Sequence, residues 1–504
     1  MQLTPQQVAF VDAIVNGTGH KCLRARAGTG KTSTILAGAK AYYEKFPNCE
    51  VAICAFGKGI QMEIDGKLKK LGIDWKRIQA VTSHSLGFSA VRTVFRDVKV
   101  DNNKVRDLLR AENNPVFSQF FSPIGELVHL AKLEGFGFFD DAQIGDIGAW
   151  YAMAEHYGVN GFDDTSNMDK VIEAAQHIYR KSLELTTVID FDDMVLFPLV
   201  KGIRVRYGKD MIIVDEAQDT SRARRALFEL FLKPGGRLII VGDDRQAIMG
   251  FAGASADALD EWIRMKNAEV LPLTMTWRCP KAVVAEAHKM VPDIVAAESA
   301  IEGSVTQLAE LPADLGKTDA ILCRNTAPLV TTAYSLIRQG VACKVEGREI
   351  GNGLLKVVDR WKQITTVGAF LAKLDEYRDR EVQKAMAKGK ESKVIEINDR
   401  CDTLVAICEA VKDKIKKQRS GQASLDDVRV FISELFSDDV SKQGLLTLCT
   451  YHRSKGREWP RVMLLEHAAR CPSPWAKQEW EKRQEANLAY VAVTRAQREL
   501  IYVA

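Results

Sequence analysis

The chain has 504 residues, 46% apolar and 27% charged, with a formal net charge of +4 and an isoelectric point near 8.4. That length suggests several domains rather than one core, and the composition is that of an ordinary soluble globular protein. So mild a positive balance neither announces nor excludes a nucleic-acid partner, because a basic groove can hide in a balanced total. The ten cysteines are scattered without a C-x-x-C pair and read as reduced, mostly buried thiols. The eight histidines form no H-x-x-x-H or Cys/His ladder, which speaks against a structural zinc or iron–sulfur site. Met1 leads into "QLTPQQVAF" with neither a basic leader nor an apolar signal core, and no run approaches the ~20 apolar residues of a membrane span. The expectation is an intracellular protein without a membrane partner.

The first informative element is "HKCLRARAGTGKTSTILAGAKAYYEKF", a short apolar strand, a glycine loop and a helical pattern through Ile35, Leu36, Ala39 and Tyr43. Gly28 and Gly30 let backbone N–H groups converge on phosphates, and the helix N-terminus adds partial positive charge. Lys31 would reach the β- and γ-phosphates and the Thr32 hydroxyl would bind Mg²⁺, with Ala27, Thr29 and Ser33 completing the loop. Ala25 stands where G-x-x-x-x-G-K-T has its first glycine. The bland alternative is a glycine turn that happens to precede Lys-Thr.

Residues 88–187 follow, predominantly helical by pattern. "PIGELVHLAKLEG" puts Ile124, Leu127, Val128 and Ala131 on one face, with Pro123 at the start and Gly135 at the end. "MDKVIEAAQHIYRKSLEL" is a second amphipathic helix. Next, "DMIIVDEAQDTS" reads as a buried strand, Met211–Val214, with Asp215 and Glu216 at its C-terminal end, the edge of an open α/β sheet where ligands bind. Asp215 can hold Mg²⁺, and Glu216 is placed to orient and deprotonate an attacking water. The alternative is an acidic helix N-terminus, favoured by the helix dipole alone. A third strand, Leu238–Val241, runs into "GDDRQ", where Gln246 can touch the γ-phosphate and report its loss. Phosphate loop and paired acids together indicate an NTP hydrolase. Residues 351–440 bring a lysine-rich, loop-like patch, "KAMAKGKESK", charged helices such as "CDTLVAICEAVKDKIKKQ", and a capping box at Ser424–Asp427. Their Lys/Arg clusters are either duplex-phosphate contacts or a solvated helix face. The chain closes on the strand-like "RELIYVA".

Taken in order, these motifs resemble the UvrD/Rep/PcrA type of superfamily 1 helicase along almost the whole chain. "LTPQQ" resembles the adenine-reading Q motif, with Gln7 the matching glutamine. "AGTGKT", "AFGKGIQMEI", "VTSHSLG", "VIDFDDMV", "VDEAQD", "VGDDRQAI", "LTMTWRCP", "AILCRNTAPL", "TYHRSKGREW" and "LAYVAVTRAQ" follow in family order. The resemblance implies an α/β fold of two RecA-like P-loop domains, parallel sheets flanked by helices, each interrupted by a mainly helical insertion. On that reading 1–87 and 188–272 form motor domain 1A and 88–187 is a 1B-like insertion. Residues 273–350 and 441–504 form 2A, and 351–440 is a shortened 2B-like insertion. ATP would lie between the motor domains, served by Lys31, Thr32, Asp215, Glu216 and Gln246 from the first and by Arg278 and Arg495 from the second. Glu458 would contact the nucleotide ribose or couple to it.

By the same resemblance a single strand is tracked by Phe56, Lys58, Thr82, His84, Phe191 and Phe251, and then by His452, Arg453 and Lys455. Each has a plainer reading as core aromatic, satisfied polar histidine or solvated charge. The sequence also departs from the pattern Tyr-x-Trp-Arg-Gly-Ala, running Met249-Gly250-Phe251-Ala252-Gly253-Ala254, which predicts a weaker single-strand grip. Gly57 and Ser83 are two further departures, at positions where Asn and Phe are usual. The expected function is an ATP- and Mg²⁺-dependent DNA translocase and helicase, 3′ to 5′, acting on single-stranded DNA and single/double-strand junctions, as a monomer in a bacterial or phage-infected cytoplasm. A protein-displacing translocase that unwinds poorly and a scaffold with a vestigial nucleotide site are the alternatives; intact Lys31, Asp215, Glu216, Gln246 and Arg495 oppose the second.

Overall fold

The computed structural model describes residues 3–159, 165–248, 257–339, 341–361, 363–387, 391–418, 422–436, 445–474, 476 and 479–504. They form two compact units, Met1–Thr274 and Met275–Ala504.

The strands of the first unit are β1 (Lys21–Ala25), β2 (Val51–Ala55), β3 (Ile78–Thr82), β4 (Lys99–Val100), β5 (Val188–Ile189), β6 (Lys209–Val214), β7 (Leu232–Gly242) and β8 (Glu269–Leu273). Six of them make one sheet in the order β3-β2-β6-β7-β1-β8, with every pairing parallel. Parallel strands need crossovers, and helices supplying them cover both faces, so the strands are apolar almost throughout. The two-residue period sorts their side chains. Cys22, Cys54, Ile212, Val214, Leu238 and Ile240 join one buried cluster, while Leu23, Ile53, Ala55, Met211, Ile213 and Val241 join the cluster on the opposite face.

One helix contact on the first of those faces has no spare room. Gly87, in the helix Ser83–Val94, lies so close to the helix Phe191–Val200 that a Cβ there would stand 1.9 Å from the Met194 carbonyl oxygen.

Between β4 and β5 the chain is helical: Lys104–Ala111, Pro115–Gln119, Phe121–Glu134, Ile147–His156 and Thr165–Glu184. These helices share their own core around Leu127, Trp150 and Tyr179, the Trp150 ring edge-on to Phe136 and Tyr179. The helix expected to start at Pro123 starts at Phe121, and it ends on Gly135, whose left-handed φ of 76° closes it. A buried ionic cluster ties this segment to the helix Phe191–Val200. Lys104 Nζ lies 2.7 Å from Asp193, and Lys132 Nζ lies 2.6 Å from Asp190 and 2.7 Å from Asp193, with both lysine side chains wholly buried. Lys104 also donates to the carbonyls of Ser182 and Leu185. Asp190 and Asp193 reciprocally cap the helix start, so both carboxylates are oriented by the helix backbone as well as by the lysines.

The second unit contains β9 (Met275–Thr276) paired with β10 (Val295–Ala296), then β11 (Ser304–Leu308), β12 (Ala320–Cys323), β13 (Cys343–Val345), β14 (Leu446–Thr450), β15 (Trp459–Leu465) and β16 (Ala496–Val503). Its six-stranded sheet runs β11-β16-β15-β12-β14-β13, again all parallel. The chain between β13 and β14 forms the helices Arg348–Val358, Val367–Ala387, Glu391–Gln418 and Leu425–Leu435. Phe370, Leu404 and Ile432 from these helices belong to the same buried cluster as Ile321, Leu448 and Met463 of the sheet. The lysine-rich stretch read as a loop is instead the end of one helix, through Ala387, and the start of the next, from Glu391; residues 388–390 lie outside the described residues. Ser424 forms the expected capping box with Asp427. All ten cysteines are buried and free, and no described helix is long and apolar enough to cross a membrane.

Removing one member of a buried ion pair strands the other charge. Lys132→Met should therefore lower the unfolding free energy by about 3–5 kcal/mol in urea denaturation. A second test concerns His129, whose Nδ1 is 2.6 Å from Asp192. Burial pulls its pKa down, but the Asp192 hydrogen bond and charge outweigh this and leave it raised. Its contribution is thus complete below the ordinary imidazole value of about 6.5 and is lost as pH rises through the raised one. The stability difference between wild type and His129→Gln should be largest below about pH 6.5 and shrink as pH rises above it.

Candidate nucleotide and nucleic-acid site

Because all six strands of the first sheet run the same way, their C-terminal ends share one edge, and most of the predicted first-unit residues follow those ends. After β1 the chain turns through Gly28 (φ 71°) and Gly30 (φ 81°), and the Thr29 hydroxyl donates to the Arg26 carbonyl at 2.8 Å. Gly30 is the N-cap of the helix Lys31–Lys45 and contributes no capping side chain. The first-turn N–H groups of such a helix are an anion site. Ala27 is buried, Thr32 is partly exposed and Ser33 is exposed on that turn.

Lys31 Nζ lies 3.0 Å from Glu216 Oε1. Burial would lower the Lys31 pKa, but Glu216, Asp215 and Asp243 outweigh it and hold the ammonium above its ordinary value. Glu216 follows β6 with a φ of 51°, a left-handed conformation rare for a residue with a side chain. It is held there by its own N–H on Asp215 Oδ1 (2.9 Å) and by Gln218 Nε2 on Oε2 (2.5 Å). Gln218 Oε1 in turn accepts the Asp243 N–H at 3.1 Å. Asp243 is wholly buried after β7, accepts from Gln246 Nε2 at 2.6 Å, and receives Arg26 Nη1 at 3.0 Å. The same nitrogen donates to Asp244 at 2.8 Å. Burial raises the Asp243 pKa against the opposing pull of Lys31, Arg26 and the Gln246 hydrogen bond.

Gln7 is buried in the capping box of the first helix. Its Oε1 accepts from Thr4 N, and its Nε2 donates to Thr34 Oγ1 at 3.0 Å, beside the phosphate loop. Thr32 and Asp215 offer a hydroxyl and a carboxylate, the hard oxygen donors that suit Mg²⁺, an ion that takes its remaining ligands from phosphates and water.

On the same edge lie Phe56 after β2 and His84 after β3, while Phe191 follows β5 of the separate β4–β5 pair and reaches this edge through its contact with His84. Phe56 and Phe191 are 44% and 48% exposed, which removes the core reading of both. The His84 and Phe191 rings are 5.5 Å apart, and the Arg224 guanidinium sits 5.9 Å from the Phe56 ring. Burial and the Arg224 charge lower the His84 pKa, leaving the imidazole neutral at pH 7. Lys58 is exposed at the start of the helix Lys58–Lys70. The Thr82 hydroxyl is engaged as N-cap of the helix Ser83–Val94. Phe251 lies outside the described residues, as do Met249 and Ala252.

In the second unit Arg278 is paired through Nε with Glu458, which also accepts from Gln497 Nε2 at 2.8 Å. Arg495 is 1% exposed and donates to the Val491 carbonyl (2.7 Å), the Arg457 carbonyl (3.0 Å) and the Thr494 hydroxyl (3.0 Å). Burial, with the charge of Arg278, pushes its pKa down to about 9, so it stays charged at pH 7. His452 and Arg453 sit on the single turn Tyr451–Ser454 that follows β14, with Lys455 next. Burial and the charges of Arg324 and Lys455 push the His452 pKa down to about 3.

Arg26, Gln218, Asp243 and Arg224 are participants that motif reading passed over. For Arg26 and Asp243 the available signal was charge: an arginine or an aspartate directly after a buried strand is buried there only with a partner.

A family model described as the UvrD/REP helicase N-terminal domain matches residues 3–265, more than half of the chain. Among curated relatives, the ATP-dependent DNA helicase UvrD2 of Mycobacterium bovis is 24% identical over 96% of this chain and 76% of its own length. DNA helicase IV of Escherichia coli is 26% identical over 50% of this chain and 42% of its own. The probable DNA helicase II homolog of Mycoplasma genitalium is 22% identical over 58% and 43%. The chain thus spans less than half the length of the latter two.

The geometry of the loop carries its own test. Gly30→Ala forces a side chain into the left-handed region, with its Cβ 3.3 Å from Gln7 Nε2. A loss of about 1–2 kcal/mol in unfolding free energy is expected in urea titration.

Proposed function

The chain belongs to the UvrD/REP helicase family, and we propose that it hydrolyses ATP to move along single-stranded DNA and unwind duplex ahead of it, in the 3′ to 5′ direction. The observation that carries this reading is the Lys31–Glu216–Gln218–Asp243–Gln246 chain of contacts, which connects the phosphate loop to the segment leading away from β7. A phosphate chain on the Gly30 helix end draws Lys31 away from Glu216. The released carboxylate then orients and deprotonates the attacking water. Gln246, held by Asp243, faces the change at the γ-phosphate. Thr32 and Asp215 would hold Mg²⁺, which neutralises developing phosphate charge. Arg278 and Arg495 are proposed to add the cationic charge that the γ-phosphoryl oxygens need in the transition state. Glu458, as partner of Arg278, is proposed to exchange it for the ribose.

The single strand is proposed to lie over Phe56, His84, Phe191 and Arg224. Exposed aromatics beside a guanidinium provide the stacking and cationic tracking that unpaired bases and their phosphates require. The 1B-like and shortened 2B-like divisions of the helical segments, a monomeric state and an intracellular setting with access to DNA belong to the same proposal.

Steady-state ATPase rates with and without a single-stranded oligonucleotide test it. Strong stimulation is expected, and a rate indifferent to DNA would defeat the reading. Lys31→Ala should abolish nucleotide binding. Glu216→Gln should bind ATP at least as well as wild type, since Lys31 loses its internal counter-charge, while kcat falls by about 10²–10⁴. Phe56→Ala should weaken oligonucleotide binding by about 1–3 kcal/mol. Duplexes with a 3′ or a 5′ tail then decide direction: unwinding only from the 3′ tail is expected.

A further inference from the structure

The contacts around Asp243 close into a circuit that begins and ends on the phosphate loop. From Lys31 it passes through Glu216 and Gln218 to Asp243, and from Asp243 it returns to the loop at Arg26. Lys31 and Arg26 are its two cationic ends. Their duties differ. Lys31 is partly exposed and paired to a single carboxylate oxygen, so a phosphate can take it. Arg26 is buried, and its Nη1 bridges Asp243 and Asp244, two consecutive residues at the end of β7. The Asp243 carboxylate also holds the Gln246 amide at 2.6 Å and accepts the Arg245 N–H at 3.1 Å.

We infer that Arg26 is a positioning residue that fixes Gln246 relative to the phosphate loop, so that a change at the γ-phosphate is passed to the segment after β7 and not dissipated between two independent loops. The physical basis is the burial of Asp243. A carboxylate wholly removed from water needs a fixed cation, and Lys31 cannot be both that cation and the phosphate ligand. Arg26 stays in place when Lys31 changes partner. Arg24, two residues earlier in β1, supports the arrangement by pairing with Asp260 and standing 3.9 Å from Asp244.

The inference rests on the ATPase reading above, and its test separates the two. In Arg26→Met, kcat for ATP in the presence of single-stranded DNA should fall about a hundredfold while KM is unchanged, the mark of lost positioning rather than lost binding. Arg26→Lys should recover much of that rate, because both contacts run through one nitrogen. Hydrogen exchange supplies a readout independent of turnover. In wild type, ATPγS should protect both residues 26–36 and residues 243–248; in Arg26→Met the first effect should persist and the second vanish. Should Arg26→Met not fold, Asp244→Asn carries the test, since it removes the charge of one of the two acceptors: kcat falls by part of the Arg26→Met amount. Wild-type kcat in the folded variant, or nucleotide-dependent protection of 243–248 that survives it, overturns the inference alone. Wild-type protein in which ATPγS leaves residues 26–36 unprotected overturns the nucleotide-site reading and this inference with it.

Discussion

An all-parallel sheet has a consequence that antiparallel sheets avoid: every strand delivers its following loop to the same edge. In the first unit that edge receives the phosphate loop, Phe56, the helix start at Thr82, the Asp215–Glu216 pair and the Asp243–Gln246 turn, from strands that are distant in sequence. The crossovers that permit this arrangement bury both sheet faces, which is why Cys22, Leu23, Ile212, Ile213, Leu238 and Ile239 alternate between two separate cores. Chemistry is confined to the strand ends because nowhere else on the sheet can a polar group meet both water and its neighbours.

Charge, not apolar surface, then fixes the details. The helices between β4 and β5 share their hydrophobic core with Leu196 of the helix Phe191–Val200, and that apolar packing, being non-directional, leaves some freedom of docking angle. Lys104 and Lys132 remove that freedom, since a wholly buried ammonium is tolerable only where Asp190 and Asp193 stand. The same two aspartates cap the helix that begins at Phe191, and Asp192 between them engages His129. The helix start that carries the exposed Phe191 ring is thereby tied to side chains of two other helices. On the proposed reading of Phe191 as a stacking surface for a base, this cluster supplies the rigidity that such a surface needs.

The fold class and the glycine turn that opens the helix at Lys31 were legible because both rest on local rules. Apolar runs of strand length, glycines before Lys-Thr and acids after a strand are one-dimensional signals. The capping box at Ser424 was equally local. What escaped was any role that depends on who lies opposite. Arg26 reads as a loop residue until β7 is set beside β1, and Gln218 reads as an ordinary polar residue of "DEAQD" until its amide is seen bridging Glu216 and Asp243. The lysine-rich stretch near 384–393 was misread for a different reason. Lysine, alanine and glutamate are strong helix formers, and their charge suggested a loop where their propensity favours helix ends.

Many of the motif residues are already in contact with protein groups. Lys31 is on Glu216, Arg278 on Glu458, Arg495 on backbone carbonyls, and Gln7 on Thr4 and Thr34. A ligand that recruits them exchanges one partner for another, so the gain is a difference between two interactions and not the whole of either. A charge-assisted hydrogen bond nets about 1.5–3 kcal/mol, and an exchange of two such bonds can come out near zero. On the proposed reading, that balance suits a molecule that must release what it binds on every cycle. It also gives different weights to the two kinds of residue at this site. Groups that exchange partners, as proposed for Lys31 and Glu216, would govern whether the nucleotide is held and cleaved. Groups whose partners stay fixed, as inferred for Asp243 with Arg26, would govern whether the outcome is felt elsewhere.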